Sequence, residues 1–437
     1  MKKIFFFCAV IGMALAVNIV CAEDTRQEKL FIILRDNGTI TQEQYNLLME
    51  AAENRAQKTE ESDMVDVKVS TKGGIKVETY DGKFSAEIGG RLFIDAAYYE
   101  KDKNPIGNGT ELRRARLGLE GSLFADWEYE FELDFADGDA DIKDAYIRYV
   151  GFRPAAVTVG QFEEPFSLEE QTSSKYITFM ERALPNEFVP DSSIGFGIHH
   201  RGKVWTAALG LFGESFDDDV NNEGDEGWGV TGRATWAPLC SDTRLLHFGT
   251  AVSYREINDE EEVKFSARPE SHVTDIKYID TGDIINTDSL LKYGLEFAGV
   301  VGPFSLQGEY IRTDVCRYDG FEDITFDGWY LYGSWFLTGE SRNYKSKKGA
   351  FGRVKPTHKL GALELALRYS TIDLNDGPIT GGEEKNITFG LNWYINPYIK
   401  FMTNYIMVDN DEHADADGDV IGNDDPKIFQ TRFQVDF

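Results

Sequence analysis

Cysteine, proline, positive charge and long apolar runs are all scarce in this chain of 437 residues, and each shortage removes a class of protein. Of four cysteines, Cys8 and Cys21 fall within the first 22 residues, which leaves Cys240 and Cys316. Two thiols make no disulfide framework, and the sequence leaves open one bridge or two separate thiols. Only 12 prolines stand beside 42 glycines, 30 phenylalanines and 20 tyrosines, a balance that favours strands and tight turns over helices. Lys and Arg number 45 against 75 Asp and Glu, a formal charge of -30, and so acidic a chain is no partner for nucleic acid held through its phosphates. Beyond the first 22 residues no run approaches the roughly 18 apolar residues of a spanning helix, so any membrane insertion must use strands. With 42% hydrophobic residues the chain is nevertheless too apolar to stay disordered.

The first residues have the order of a secretory signal: Lys2 and Lys3, the apolar stretch 4–17, then Val20-Cys21-Ala22 before Glu23. Cleavage is expected after Ala22, which makes residues 1–22 a signal peptide and deepens the mature negative charge by two. A lipidated Cys21 fits less well, because Ile19-Val20 lacks the small residue that such a site needs. Residues 23–62 read as a periplasmic helical hairpin and linker. Leu30, Ile33 and Leu34 share a face, Asn37-Gly38 breaks the pattern, and Thr41 is placed to cap a second helix carrying Tyr45, Leu48 and Met49. Two short helices bury little alone, so a spacer or oligomerising element is the expected role.

From residue 65 the period becomes two. Trp127, Tyr129, Phe131, Leu133 and Phe135 alternate with Glu128, Glu130, Glu132 and Asp134, and Ile387, Phe389, Leu391 and Trp393 with Thr388, Gly390 and Asn392. Short turns, for example near 151–154, 201–203 and 237–241, alternate with longer polar loops near 101–110, 163–193, 255–287, 373–385 and 409–427. This is the plan of an all-β, transmembrane antiparallel β-barrel of about 16 strands over residues 65–437, with both termini on the periplasmic side of a bacterial outer membrane. One connection, about 340–360, falls on the short-turn side yet is long and basic, so either a strand lies there or the turn is extended. The last strand sends Phe429, Thr431, Phe433, Val435 and Phe437 outward and Gln430, Arg432, Gln434 and Asp436 inward.

Alternation assigns Arg91, Arg114, Arg116, Arg148, Lys292, Arg368, Lys400 and Arg432 to the lumen. It assigns Asp95, Glu120, Glu128, Glu130, Glu132, Asp134, Asp144, Glu296, Glu309, Glu364 and Asp436 there too. The signs are segregated: Arg91, Arg113, Arg114 and Arg116 sit on the first two strands and the next strand is acidic. Such walls either hold an anion at the basic side or neutralise themselves as cross-strand pairs. Loop 163–193 is the candidate constriction, with Glu163, Glu164, Thr172, Lys175, Glu181 and Arg182 along it. Hydroxyls and backbone N–H groups of Thr172 to Ser174 suit either an uncharged anion cradle or a capped turn packed on the wall.

Gly160-Gln161-Phe162-Glu163-Glu164-Pro165-Phe166-Ser167-Leu168-Glu169-Glu170, continuing through Thr172-Ser173-Ser174 to Phe179-Met180-Glu181-Arg182-Ala183-Leu184-Pro185, resembles the phosphate-selective porin O and P family. Leu337-Thr338-Gly339-Glu340 and 361–370 are similar to later segments of that family. The resemblance covers most of 80–437 and implies a sixteen-stranded trimeric channel whose third long loop folds inward, with cations guiding small inorganic or organic anions. Carried over residue by residue, it points to Arg91, Arg113, Arg114, Asp144, Ser173 and Ser174, to which alternation adds Arg116 and Arg148. Glu163 departs from the family pattern, standing where many members place lysine after Gly-Gln-Phe.

The expected partners are outer-membrane lipid, small anions and two further copies of the chain. A general or cation-preferring pore and a non-conducting adhesin or receptor are the alternatives. No nucleophile-elbow, Walker or zinc-helix motif appears, so no enzyme, cofactor or metal is expected. His413-Ala414-Asp415-Ala416-Asp417-Gly418-Asp419 approaches a calcium loop but opens on His and ends on the short carboxylate Asp424. Alternation sends His199 and His200 to opposite faces, against joint metal ligation.

Overall fold

A computed structural model describes residues 31–51, 67–71, 73–136, 138–215, 226–257, 262–318 and 320–437. The expected signal peptide and the linker 57–63 lie outside these residues. In the N-terminal unit the described helical turns cover 31–36 and 42–51. Thr41 Oγ1 accepts the Gln44 N–H at 3.2 Å while Gln44 Oε1 accepts the Thr41 N–H at 2.9 Å, a reciprocal cap that fixes the second helix where the sequence starts it.

The unit Lys68–Phe437 is built on sixteen long strands. They are β1 (Ser85–Glu100), β2 (Gly109–Leu123), β3 (Trp127–Asp134), β4 (Asp141–Tyr149), β5 (Ala155–Glu163), β6 (Ser192–Arg201), β7 (Trp205–Phe212) and β8 (Trp228–Ser241), then β9 (Arg244–Glu256), β10 (Thr287–Val301), β11 (Phe304–Arg317), β12 (Ile324–Phe336), β13 (Ala362–Asp376), β14 (Ile379–Asn396), β15 (Ile399–Asn410) and β16 (Lys427–Asp436). Each pairs antiparallel with its neighbour in the chain, and β16 pairs with β1, Phe433 opposite Ile94 and Asp436 opposite Arg91, so the sheet closes as a barrel. Beyond β16, Phe437 and Gly90 exchange backbone hydrogen bonds of 3.0 and 2.9 Å. Closure leaves none of these sixteen strands with an unpaired edge, which is the condition for strands to cross a bilayer.

The burial pattern is that of a water-soluble protein turned inside out. Along β16 and the residue that follows it, Phe433 is 42% and Phe437 50% exposed, while Gln430, Arg432, Gln434 and Asp436 are at most 3% exposed. Aromatic side chains gather near both ends of the strands, with Trp127–Tyr149 and Phe304–Trp335 ring pairs at the short-turn rim and Trp228–Tyr254 at the other. An exposed apolar band between two aromatic girdles is stable only against lipid. Cys240 ends β8 at the short-turn rim and Cys316 ends β11 at the opposite rim, so both are free thiols and the one-bridge option is not realised.

Two connections differ from expectation. The loop expected near 373–385 is strand: β13 and β14 pair out to Asp376 opposite Ile379, and the turn is two residues, with Gly377 at φ +55°. Residues 337–361 are an extended turn that enters the lumen as a small hairpin, Asn343–Lys345 against Ala350–Gly352. Its Ala350 and Phe351 pack with Leu168, Ala237, Leu245, Ala298 and Val300. The lumen is also not uniformly polar. At the long-loop ends of β11 to β13, Ile311, Val315, Ile324, Phe326, Ile372 and Leu374 face inward to meet Phe166, Leu184 and Phe188 of loop 164–191 and Phe265, Tyr278, Ile279 and Ile284 of loop 257–286.

Candidate functional site

Loop 164–191 is tied across the lumen by hydrogen bonds that its own backbone could not make internally. At its root the Glu164 carboxylate accepts from the Thr231 hydroxyl, from Ser193 Oγ at 3.1 Å and from Arg255 at 2.5 Å. The N–H groups of Leu168 and Glu169 donate to Glu309 on β11 at 2.8 and 2.7 Å. Further on, Lys400 donates to Ile177 O at 2.9 Å, Asn392 to Thr178 O at 2.7 Å and Arg368 to Glu181 O at 3.0 Å, while the Met180 and Leu184 N–H groups donate to Asn404 and Ser370 at 2.8 and 3.0 Å. A loop that leaves β5 and rests on β11 and β13 to β15 constricts the barrel. Buried backbone groups need such partners, which explains why the wall here carries Asn, Ser, Lys and Arg.

Opposite the loop stand β1 to β3, and most of their arginines are consumed by neighbouring acids. Arg91 pairs with Glu132, and Arg116 with Glu132 at 2.8 Å and Asp134 at 2.7 Å. Arg113 makes a two-bond fork on Glu181, both at 3.0 Å, and Arg432 bonds Glu181 at 2.6 Å, Asp95 at 2.7 and 2.6 Å, and the Met180 carbonyl. Burial alone would raise the Glu181 carboxyl, but Arg113 and Arg432 outweigh it and hold it well below the usual carboxylate range. Arg182 turns back on its own loop, to Glu170 at 3.1 Å and the Glu169 and Glu170 carbonyls.

Arg114 differs. It lies opposite Phe93 in the β1–β2 register, among Arg113, Arg116, Arg182 and Glu181, and makes no hydrogen bond or ion pair among the described residues. Two positions before Phe93 on β1, and opposite Arg116, Arg91 donates to Ser174 Oγ at 2.8 Å and reaches Ser173 Oγ at 3.5 Å, so both hydroxyls keep their hydrogens for another acceptor.

The other candidates divide. The Thr172 hydroxyl donates to Leu168 O at 2.8 Å and accepts the Phe351 N–H at 3.2 Å, which is the packed turn rather than the cradle. Glu164 anchors the loop root. Lys175 lies beside the Tyr176 ring, 5.9 Å from its centroid, and its carbonyl accepts from Gln434. Asp144 and Glu163 neighbour each other, Asp144 with Glu130 and Glu132 and Glu163 with Glu170, a group of acids facing Arg116. Arg148 bonds Thr158 at 3.0 Å and lies over the Tyr146 ring, away from Arg114 in the strand order. Alternation alone did not reveal Glu270, which pairs with Arg368 at 2.6 Å, or Arg353, which pairs with Asp436. No period in loop 257–286 marks Glu270.

The family profile described as phosphate-selective porin O and P matches residues 86–437. Porin O of Pseudomonas aeruginosa is 31% identical over 419 residues, covering 86% of this chain and 94% of that protein. Among solved structures, the anion-selective porin from Comamonas acidovorans superposes with a TM-score of 0.53 at 15% identity over 81% of this chain and all of that one. OmpT of Vibrio cholerae in a trimer form does so with a TM-score of 0.50 at 13% identity over 81% and 99%. These two likenesses are of fold. A closed sixteen-stranded wall, apolar outside and lined with charge within, fits a channel of the bacterial outer membrane, and with the match to 86–437 the chain belongs to the phosphate-selective porin O and P family.

Proposed function

We propose that the channel passes small anions by passive diffusion, phosphate among them, as a homotrimer in outer-membrane lipid, and that Arg114 with the Ser173 and Ser174 hydroxyls forms the point of closest recognition. The observation that carries this reading is the unpaired state of Arg114 in a wall where Arg91, Arg113, Arg116 and Arg432 are all paired. A guanidinium offers a phosphate two parallel N–H bonds, and a unit charge pair about 4 Å apart at an effective dielectric near 20 attracts by about 4 kcal/mol before desolvation. The family description, phosphate-selective porin O and P, and the name of the anion-selective Comamonas porin support the anion, and the trimer form of OmpT supports the assembly.

The test is a planar bilayer under a potassium chloride gradient, with the reversal potential recorded before and after phosphate. Chloride preference with a phosphate block that weakens in Arg114→Ala is the expected result. Open channels that prefer potassium and ignore phosphate would favour the second reading, a cation-preferring pore, for which the acids Glu130, Asp144 and Glu163 facing Arg116 are the supporting observation. A barrel with no conductance step would return the adhesin or receptor alternative.

A further inference from the structure

Away from β1 and β2, the inner wall of β4 to β8 and the inserted turn 337–361 enclose a second space. Its volume is about 90 Å³. Its lining is of two kinds. Phe162 and Phe212 form one side, ring centroids 5.2 Å apart and tilted at 59°. They face the lumen, where no lipid calls for phenylalanine, and the wall beside them is shaped to take the rings. A Cβ on Gly210 would lie 2.4 Å from the Phe212 ring and one on Gly197 3.0 Å from the Phe162 ring. Glycine at these two positions lets aromatic faces sit on the sheet.

The other side is polar, with the three cations Arg148, Arg233 and Lys348 beside Thr158, His199 and Thr206. His199 stands in the field of Arg148, Arg201, Arg233 and Lys348 together. Arg233 is neutralised by Glu296 at 2.7 and 2.8 Å, but Lys348 has no ion-pair partner among the described residues, and Arg201 Nε is buried without a hydrogen-bond partner. Glu163 is the carboxylate in the lining, and Arg116, Arg182 and Lys348 all lie in its field. Arg148 reaches Glu128 only at 3.8 Å.

An aromatic wall facing a cationic one is a complement to a flat molecule with one charged end. We infer that this space is a binding pocket for a planar organic monoanion such as an aromatic carboxylate, its ring against Phe162 and Phe212 and its carboxylate toward Arg148 and Lys348. A small inorganic anion would gain nothing from the rings, and a neutral aromatic nothing from the cations. The site stands on different strands from Arg114 and does not depend on the phosphate reading.

Isothermal titration of the mature protein in detergent micelles with benzoate, and with acetate as the ringless control, tests this by heat rather than by current. Benzoate is expected to bind at least tenfold tighter than acetate, and to lose at least tenfold in affinity in both Lys348→Gln and Phe162→Leu, each checked for a native barrel by heat-modifiable gel mobility. Benzoate binding no tighter than acetate, or unchanged in either folded variant, overturns the inference.

Discussion

Removing Arg432 would leave Asp95, 2% exposed, and Glu181 without their shared cation, and breaking a buried pair from one side costs about 3–5 kcal/mol. Arg432→Ala is therefore expected to unfold at markedly lower denaturant than wild type in detergent. Arg114→Ala breaks no ion pair, so its midpoint should stay within about 0.5 kcal/mol of wild type even as anion preference falls. At this scale the sequence was half legible. Alternation told which side chains face inward, because it is a property of the strand itself, and His199 and His200 divide as expected, His200 stacking on Trp205 at 4.5 Å. It could not tell which arginine is free. That depends on cross-strand register, and the register holds a bulge between Phe93 and Ile94 that brings Arg113 and Arg114 both to bear on the lumen. Glu340 shows a pH effect of definite sign. Burial would raise its carboxyl, but bonds from Thr338 and Thr357 win and depress it from 4.5 to about 2. Its contribution to anchoring the inserted turn is complete above about pH 4.5 and is lost as pH falls toward 2. Pepsin cleavage within 337–361, followed from pH 5 to pH 2, should begin only below about 4.5 in wild type and at every pH in Glu340→Ala.

Among the elements, strands were easier to read than the segments between them, for a physical reason: a spanning strand must alternate, whereas an inward loop needs only a few anchors. Loop 164–191 announced itself by length. Loop 257–286 and the turn 337–361 carry Phe265, Tyr278, Ile279 and Phe351, apolar residues with no period to reveal them, and their place in the lumen became visible only with the fold. The acidic run before Asp424 likewise resembles a calcium loop until the donors are seen. Asp424 is fully buried and accepts from the Lys103 N–H at 2.6 Å, Asn104 Nδ2 at 2.9 Å and the Tyr278 hydroxyl at 2.7 Å, clasping three loops at the outer rim. Asp424→Ala leaves those donors unsatisfied, each costing about 1–3 kcal/mol. The expected outcome is protease sensitivity confined to 101–108, 257–286 and 411–426, with the barrel's thermal midpoint little changed.

For the whole molecule, the two aromatic girdles set a thickness. Trp228 and Trp236 on β8 are eight positions apart, about 26 Å along the strand and roughly 20 Å along the membrane normal at a tilt near 40°. Refolding yield should accordingly be highest in short-chain lipid bilayers and fall as the acyl chains lengthen, read by heat-modifiable mobility. The strand number, parity and closing strand followed from the sequence because lipid outside and water inside impose one rule on every strand. What that rule leaves undetermined is how the lumen is filled. Thr172 of the loop that descends from one rim meets Phe351 of the turn that rises from the other, N–H to hydroxyl at 3.2 Å. Electrical resistance follows cross-section, so the potential across the membrane falls mostly over the short stretch where these two segments touch, and the water on either side is nearly equipotential. A charge crossing that stretch alone feels most of the about 2.3 kcal/mol per 100 mV that the full membrane would impose. The meeting of loop and turn thereby turns a passage some tens of ångströms long into an electrically short one.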